Sequence, residues 1–70
     1  MEAIKTGSGL KEIRRQFGMS QTVLAEGLGV SRMSIYNWER LLILSTLSSL
    51  AVTKYFQDLG VELNVNSIAE

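Results

Sequence analysis

The sequence contains no cysteine and no histidine. Without thiols there is no disulfide framework and no thiolate metal site; without imidazole the commonest metal ligand and the usual general base near neutral pH are both missing. Nucleophile-and-histidine catalysis is excluded with them. No glycine-rich phosphate loop of the Walker or dinucleotide type occurs either. The chemistry that remains rests on seven acids and seven bases with hydroxyls, amides and backbone. Glu26, Glu39, Asp58 and Glu62 are spread through the chain, with no pair of carboxylates brought together by spacing. These absences point away from an enzyme, a metal and a cofactor, and leave binding as the role.

A long apolar run is also lacking. The stretch from Leu41 to Val52 is interrupted by Ser45, Thr46, Ser48 and Ser49, and falls short of the roughly 20 residues that a bilayer-spanning helix needs. No apolar leader opens the chain, so the expectation is a cytoplasmic protein with no membrane partner. A basic excess is missing as well, since the formal net charge is zero. The distribution is uneven, however. Residues 1–40 carry six bases against four acids, and the remainder carries Lys54 against Asp58, Glu62 and Glu70. The N-terminal part can therefore face an anion, although an excess of this size is a small footprint.

What is present fits one small domain: 70 residues, 46% of them hydrophobic, near the size at which a core is barely adequate. Met1 to Gly9, with Gly7, Ser8 and Gly9 in a row, reads as a flexible lead-in. Leu10, Ile13, Arg14 and Phe17 recur at helical spacing and Gly18 closes that helix. Ser20 is a suitable N-cap for a short second helix whose inward side carries Val23 or Leu24, Ala25 and Leu28, ending at Gly29. Gly27 inside it costs about 1 kcal/mol relative to alanine. Ser31 caps a third helix, Arg32 to about Arg40, with Ile35 and Trp38 on one face and Arg32, Met33, Tyr36, Asn37 and Arg40 on the other. A fourth helix starts at Ser45 or Thr46, runs through Leu47, Leu50, Ala51, Tyr55 and Leu59, and stops at Gly60. Val61, Leu63 and Val65 then alternate with Glu62, Asn64 and Asn66, the period-two pattern of a half-buried strand. A lone strand implies a partner strand from another chain, so residues 61–70 read as a short strand or tail used in dimerisation.

The informative stretch is QTVLAEGLGVSRMSIYNWER, residues 21–40. Two short helices flank a turn containing Gly29, which can take a positive φ without strain. Ala25 lets one helix cross the other, and Leu24, Leu28, Val30, Ile35 and Trp38 fill the angle between them, the recipe of a helix-turn-helix. Residues 10–40 as a whole resemble the phage-repressor (Cro) and xenobiotic-response-element family of helix-turn-helix DNA-binding proteins. LKEIR opens helix one, GMSQ precedes helix two, LAEGLGVS crosses the turn and IYNWER lies in helix three.

The resemblance implies an all-α fold, a lambda-repressor-like bundle of four to five helices over residues 10–60. It also implies that the third helix enters the major groove of double-stranded DNA, as a homodimer on a pseudo-palindromic site and as a repressor or other transcriptional regulator. Family members usually follow Glu-Arg with a polar loop containing glycine and often a proline. Here Leu41, Leu42, Ile43 and Leu44 follow, which either extend and bury helix three or belong to a subunit interface. The C-terminal segment is similar to antitoxin-type members, which makes a toxin-like protein partner, or a helix-turn-helix kept for assembly, the alternative reading.

Within that motif Arg32 can bind guanine O6 and N7, and Asn37 adenine N6 and N7. Met33 can touch a thymine methyl or be incidental, and Tyr36 can bond a phosphate or be a rim aromatic. Arg40 belongs to the same outward set; it or Glu39 can instead pair with charges elsewhere in the domain. Gln21 stands where a backbone phosphate meets the positive end of helix two. Ser31 and Ser34 can touch phosphate, with capping as the plain role of Ser31. Trp38 falls on the packed side with Ile35. Arg14 or Arg15 can pair with Glu39, and Lys11 and Lys54 are solvated charges.

Overall fold

Each helix of this chain begins on a hydroxyl. The computed structural model describes the backbone of residues 3–69 and the side chains of residues 3–60. It places four helices in order: α1 (Gly7–Gln16), α2 (Gln21–Leu28), α3 (Arg32–Glu39) and α4 (Thr46–Ala69). Thr6 Oγ1 accepts from the Gly9 amide at 3.0 Å, Ser20 Oγ from Val23 at 3.1 Å, Ser31 Oγ from Ser34 at 3.1 Å and Ser45 Oγ from Ser48 at 3.2 Å. Each bond satisfies one of the amides a helix start leaves unpaired.

The first two helices end alike. Past α1, the Met19 amide donates to the Arg14 carbonyl and Gly18 to Arg15; past α2, Val30 donates to Ala25 and Gly29 to Glu26. This is the paired closure that a left-handed residue makes possible, and Gly29 holds it at φ +72°. The chain turns there with Gly29, Val30 and Ser31, and α3 begins. That unit of two helices and a short turn is the expected helix-turn-helix.

Leu10, Leu24, Ile35, Val52 and Phe56 are fully buried and come from all four helices; Ala25, Leu44 and Ile4 complete the centre. Ile13, Phe17, Leu28, Val30 and Trp38 pack around them half-buried. Of the two candidates on α2, Leu24 is the inward residue, and Val23 is 48% exposed. Phe56 meets Phe17 at 5.1 Å between ring centroids and Tyr55 edge-on at 5.3 Å, which ties α4 to the end of α1. The missing side chain of Gly27 is where the Tyr55 hydroxyl end lies against α2.

Three expectations are corrected. The lead-in assigned to residues 1–9 is, over its described part, a strap. Ile4 is 7% exposed; its amide donates to Thr53 Oγ1 at 2.8 Å and its carbonyl accepts from Ser49 Oγ at 2.6 Å. The Lys5 carbonyl accepts from the Leu44 amide at 2.8 Å, and the Gly7 amide donates to the Leu41 carbonyl at 3.0 Å. α1 begins at Gly7, buried against the backbone carbonyls of Trp38 and Leu41 at the end of α3, where a Cβ would collide. Ile4, Lys5 and Gly7 thus clasp the α3–α4 loop and α4.

The second correction concerns Val61, Leu63 and Val65. The backbone there continues α4 to Ala69, where a stop at Gly60 followed by a short strand or tail was expected. A strand in a single chain leaves its amides and carbonyls unpaired, whereas a helix already under way supplies each next residue with a bond four residues back. Gly60 takes no left-handed conformation that would end it.

The third concerns the Leu41–Leu44 run, for which one of the two alternatives is excluded. Helix α3 does not extend through it, ending at Glu39. Leu44 alone turns into the core, while Leu42 and Ile43 stand 88% and 74% exposed.

Candidate nucleic-acid interface

Arg32, Met33, Tyr36 and Asn37 of α3 and its C-cap residue Arg40 are spaced so that they share one face. Arg32, Met33, Tyr36, Asn37 and Arg40 are all exposed, with Met33 at 54%, while Ile35 on the opposite face is fully buried and Trp38 is half-buried against the core. The structure therefore brings five of the eight predicted residues onto one outward face. Within it, Arg40 Nη1 donates to the Tyr36 hydroxyl at 2.7 Å, and its guanidinium carbon lies 5.4 Å from the Tyr36 ring centroid. The tyrosine thereby holds the arginine along the helix.

Ser31 and Ser34 occupy the start of α3. Their hydroxyls are 3.0 Å apart, Ser31 is exposed and capping, and Ser34 is half-buried. Gln21 stands in the first turn of α2, half-buried, and its Nε2 donates to Glu39 Oε1 at 3.2 Å. One of its two amide hydrogens is thus used within the protein, leaving the other and the positive end of α2 for an anion.

Of the two candidate partners for Glu39, Arg14 is the one used; Arg15 is exposed. Arg14 Nε donates to Glu39 Oε2 at 2.6 Å, Nη2 to Oε1 at 3.1 Å and Nη1 to the Met19 carbonyl at 2.8 Å. The two side chains are 11% and 4% exposed. This fork joins α1, the α1–α2 turn, α2 through Gln21 and the end of α3, and so fixes how α3 is presented.

It also settles the electrostatics. Glu39 is the sole acid of α3, and Arg14 neutralises it inside the fold. The outward face is left with Arg32 and Arg40 and no carboxylate, a cationic surface on a chain whose formal net charge is zero. Such a face can bond phosphate through its guanidinium groups and base edges through Arg32 and Asn37.

Sequence reading missed the strap. Its one available signal was the hydroxyl of Thr6, spaced three residues before Gly9 as a cap should be. A shallow hollow on α1 is lined by Ser8, Lys11, Glu12, Arg15 and Gln16, all exposed, and nothing converges on it as a reaction centre. Among the described residues no carboxylate cluster has the geometry to hold a metal ion, and no helix is long and apolar enough to cross a membrane.

A family model described as helix-turn-helix matches residues 10–65, most of the chain. No curated protein and no solved structure matches it. The match spans the α2–turn–α3 unit and the helices that brace it, and the chain belongs to the helix-turn-helix family of DNA-binding transcription regulators, of the xenobiotic-response-element kind.

Proposed function

We propose that the protein is a sequence-specific repressor that inserts the outward face of α3 into the major groove of double-stranded DNA, working as a homodimer in the cytoplasm. The observation that carries this reading is the α3 face itself, with Arg32, Met33, Tyr36, Asn37 and Arg40 exposed together while Arg14 withdraws the only acid of the helix. Arg32 and Asn37, near and beyond the first turn, are the base readers. Gln21, Ser31, Ser34, Tyr36 and Arg40 bond the backbone around them, and Met33 lies against a thymine methyl.

Selection of bound duplexes from random DNA tests the proposal. The expected result is an enriched pair of inverted half-sites whose centres lie about one helical turn apart, roughly 34 Å. Recovery of unenriched DNA, with retention that does not fall as salt rises, contradicts it.

A second reading, a protein partner of the toxin kind, is supported by the exposed apolar side chains of Leu42, Ile43, Leu47 and Leu50. Binding of such a partner without salt-sensitive retention on DNA would favour it.

A further inference from the structure

Arg40 is the C-cap of α3 and the last cation of its outward face. The carbonyl end of a helix carries partial negative charge, so a DNA phosphate brought to this end of α3 meets repulsion unless a cation stands between. Arg40 lies a little more than two turns past Arg32, about 12 Å along the helix axis, a span comparable to the width of the major groove. A helix that reads bases with its first turn therefore carries Arg40 out to the sugar–phosphate wall.

Tyr36, one turn back, holds that cation. Its hydroxyl accepts from Arg40 Nη1 at 2.7 Å, and its ring centroid lies 5.4 Å from the guanidinium carbon. Three features of the pair suit it to an anion. The tether is neutral, so it steadies the guanidinium without cancelling its charge, as Glu39 does for Arg14. The bond takes Nη1, so the Nε–Nη2 edge faces away from the tyrosine; Arg14 grips its carboxylate with that same edge, and a phosphate accepts the same two parallel bonds. The backbone beneath is also fixed. The Arg40 amide donates to the Asn37 carbonyl at 3.1 Å, the Leu41 amide to Trp38 at 3.1 Å, and the strap holds the Leu41 carbonyl through the Gly7 amide at 3.0 Å. A long side chain already held in place loses less freedom when it binds.

We infer that Tyr36 and Arg40 form one phosphate clamp, in which Tyr36 is a positioning residue that sets the guanidinium fork of Arg40 on a single phosphodiester of the DNA backbone. The phenol accepts from Arg40, so it keeps its own hydrogen and donates it to the same phosphate. The clamp rests on the reading of α3 as the helix in the groove, and adds that the two residues share one phosphate instead of bonding two.

Duplexes from the selected pool, each with one neutral methylphosphonate in place of a backbone phosphate, test the clamp with the parent, Tyr36→Phe, Arg40→Ala and the double variant. Both side chains are exposed, and an unchanged circular dichroism melt verifies the fold. Arg40→Ala is expected to lower the slope of log affinity against log salt by about 0.9, the release from one phosphate. Tyr36→Phe keeps the charge, so the slope holds while affinity falls about 2- to 10-fold, the cost of ordering one long side chain afresh. The double variant should lose less than the product of the single losses, by about 2-fold or more. One methylphosphonate in each half-site should weaken the parent most, Tyr36→Phe less and Arg40→Ala least. Single losses that simply multiply, sensitivity of the two variants to different phosphates, or a Tyr36→Phe that binds as the parent does overturns the clamp while DNA binding stands. A parent that binds no duplex in a salt-dependent way overturns the clamp together with the reading it rests on.

Discussion

The Arg14 guanidinium grips the Glu39 carboxylate with two nitrogens, Nε to Oε2 at 2.6 Å and Nη2 to Oε1 at 3.1 Å, across 25 residues of sequence. Both groups are almost fully covered. Removing one partner strands the other charge out of water, a loss of about 3–5 kcal/mol. Arg14→Ala and Glu39→Ala are each expected to lower the urea midpoint by that equivalent, and Arg14→Met with Glu39→Leu together to cost less than either single change. A double variant that loses the sum of the two would contradict a buried, mutually dependent pair.

Gly7 sits at the start of α1 with the carbonyls of Trp38 and Leu41 where a Cβ would be. Those atoms are backbone and cannot swing aside as a side-chain tip can. Gly7→Ala is expected to cost about 1–3 kcal/mol by overpacking, read as a shift in denaturant midpoint, whereas Gly9→Ala, which meets only the Thr6 hydroxyl, should cost less. Equal effects at the two positions would mean that α1 does not abut the end of α3.

Thr53 is buried on α4 and its hydroxyl accepts the Ile4 amide. Thr53→Val keeps the shape and deletes the acceptor, leaving a buried N–H without a partner at about 1–3 kcal/mol. The loss should be seen in thermal melts together with faster amide exchange at Ile4. Unchanged exchange there would show that the strap is not held by this bond.

Arg32 and Asn37 are exposed and bond nothing that the core needs, so their replacement separates binding from folding. Arg32→Ala and Asn37→Ala are expected to melt as the parent does while losing base discrimination by about 1–3 kcal/mol each at the positions they read. Arg32 also stands in the first turn of α3, where a cation faces the positive end of the helix. Its removal should thus leave stability equal or slightly raised. Two variants that retain the parent's base preference would take the reading role away from both residues.

The helices of the motif were legible because short-range chemistry marks them. Ser20 and Ser31 stand where caps belong, Gly18 and Gly29 close the helices they follow, and Ile35 and Trp38 separate the packed face of α3 from its polar one. The strap was hidden because Ile4, Lys5, Thr6 and Gly7 are too few to show a period, and their partners, Thr53, Ser49, Leu44 and Leu41, lie more than thirty residues away. The period-two stretch at Val61 misled for a different reason. Alternation records which side chains share a side of a strand, but it cannot supply the second strand that such a backbone needs, and α4 was already extending.

The direct measurement is amide chemical-shift mapping of the parent titrated with its selected duplex. Perturbations are expected to centre on Ser31 to Arg40, with Gln21 beside them, and to leave the α4 amides from Val52 to Phe56 almost unmoved. Perturbations centred on α1 or α4, with those of Arg32, Tyr36 and Asn37 unchanged, would contradict the placement of α3 in the groove.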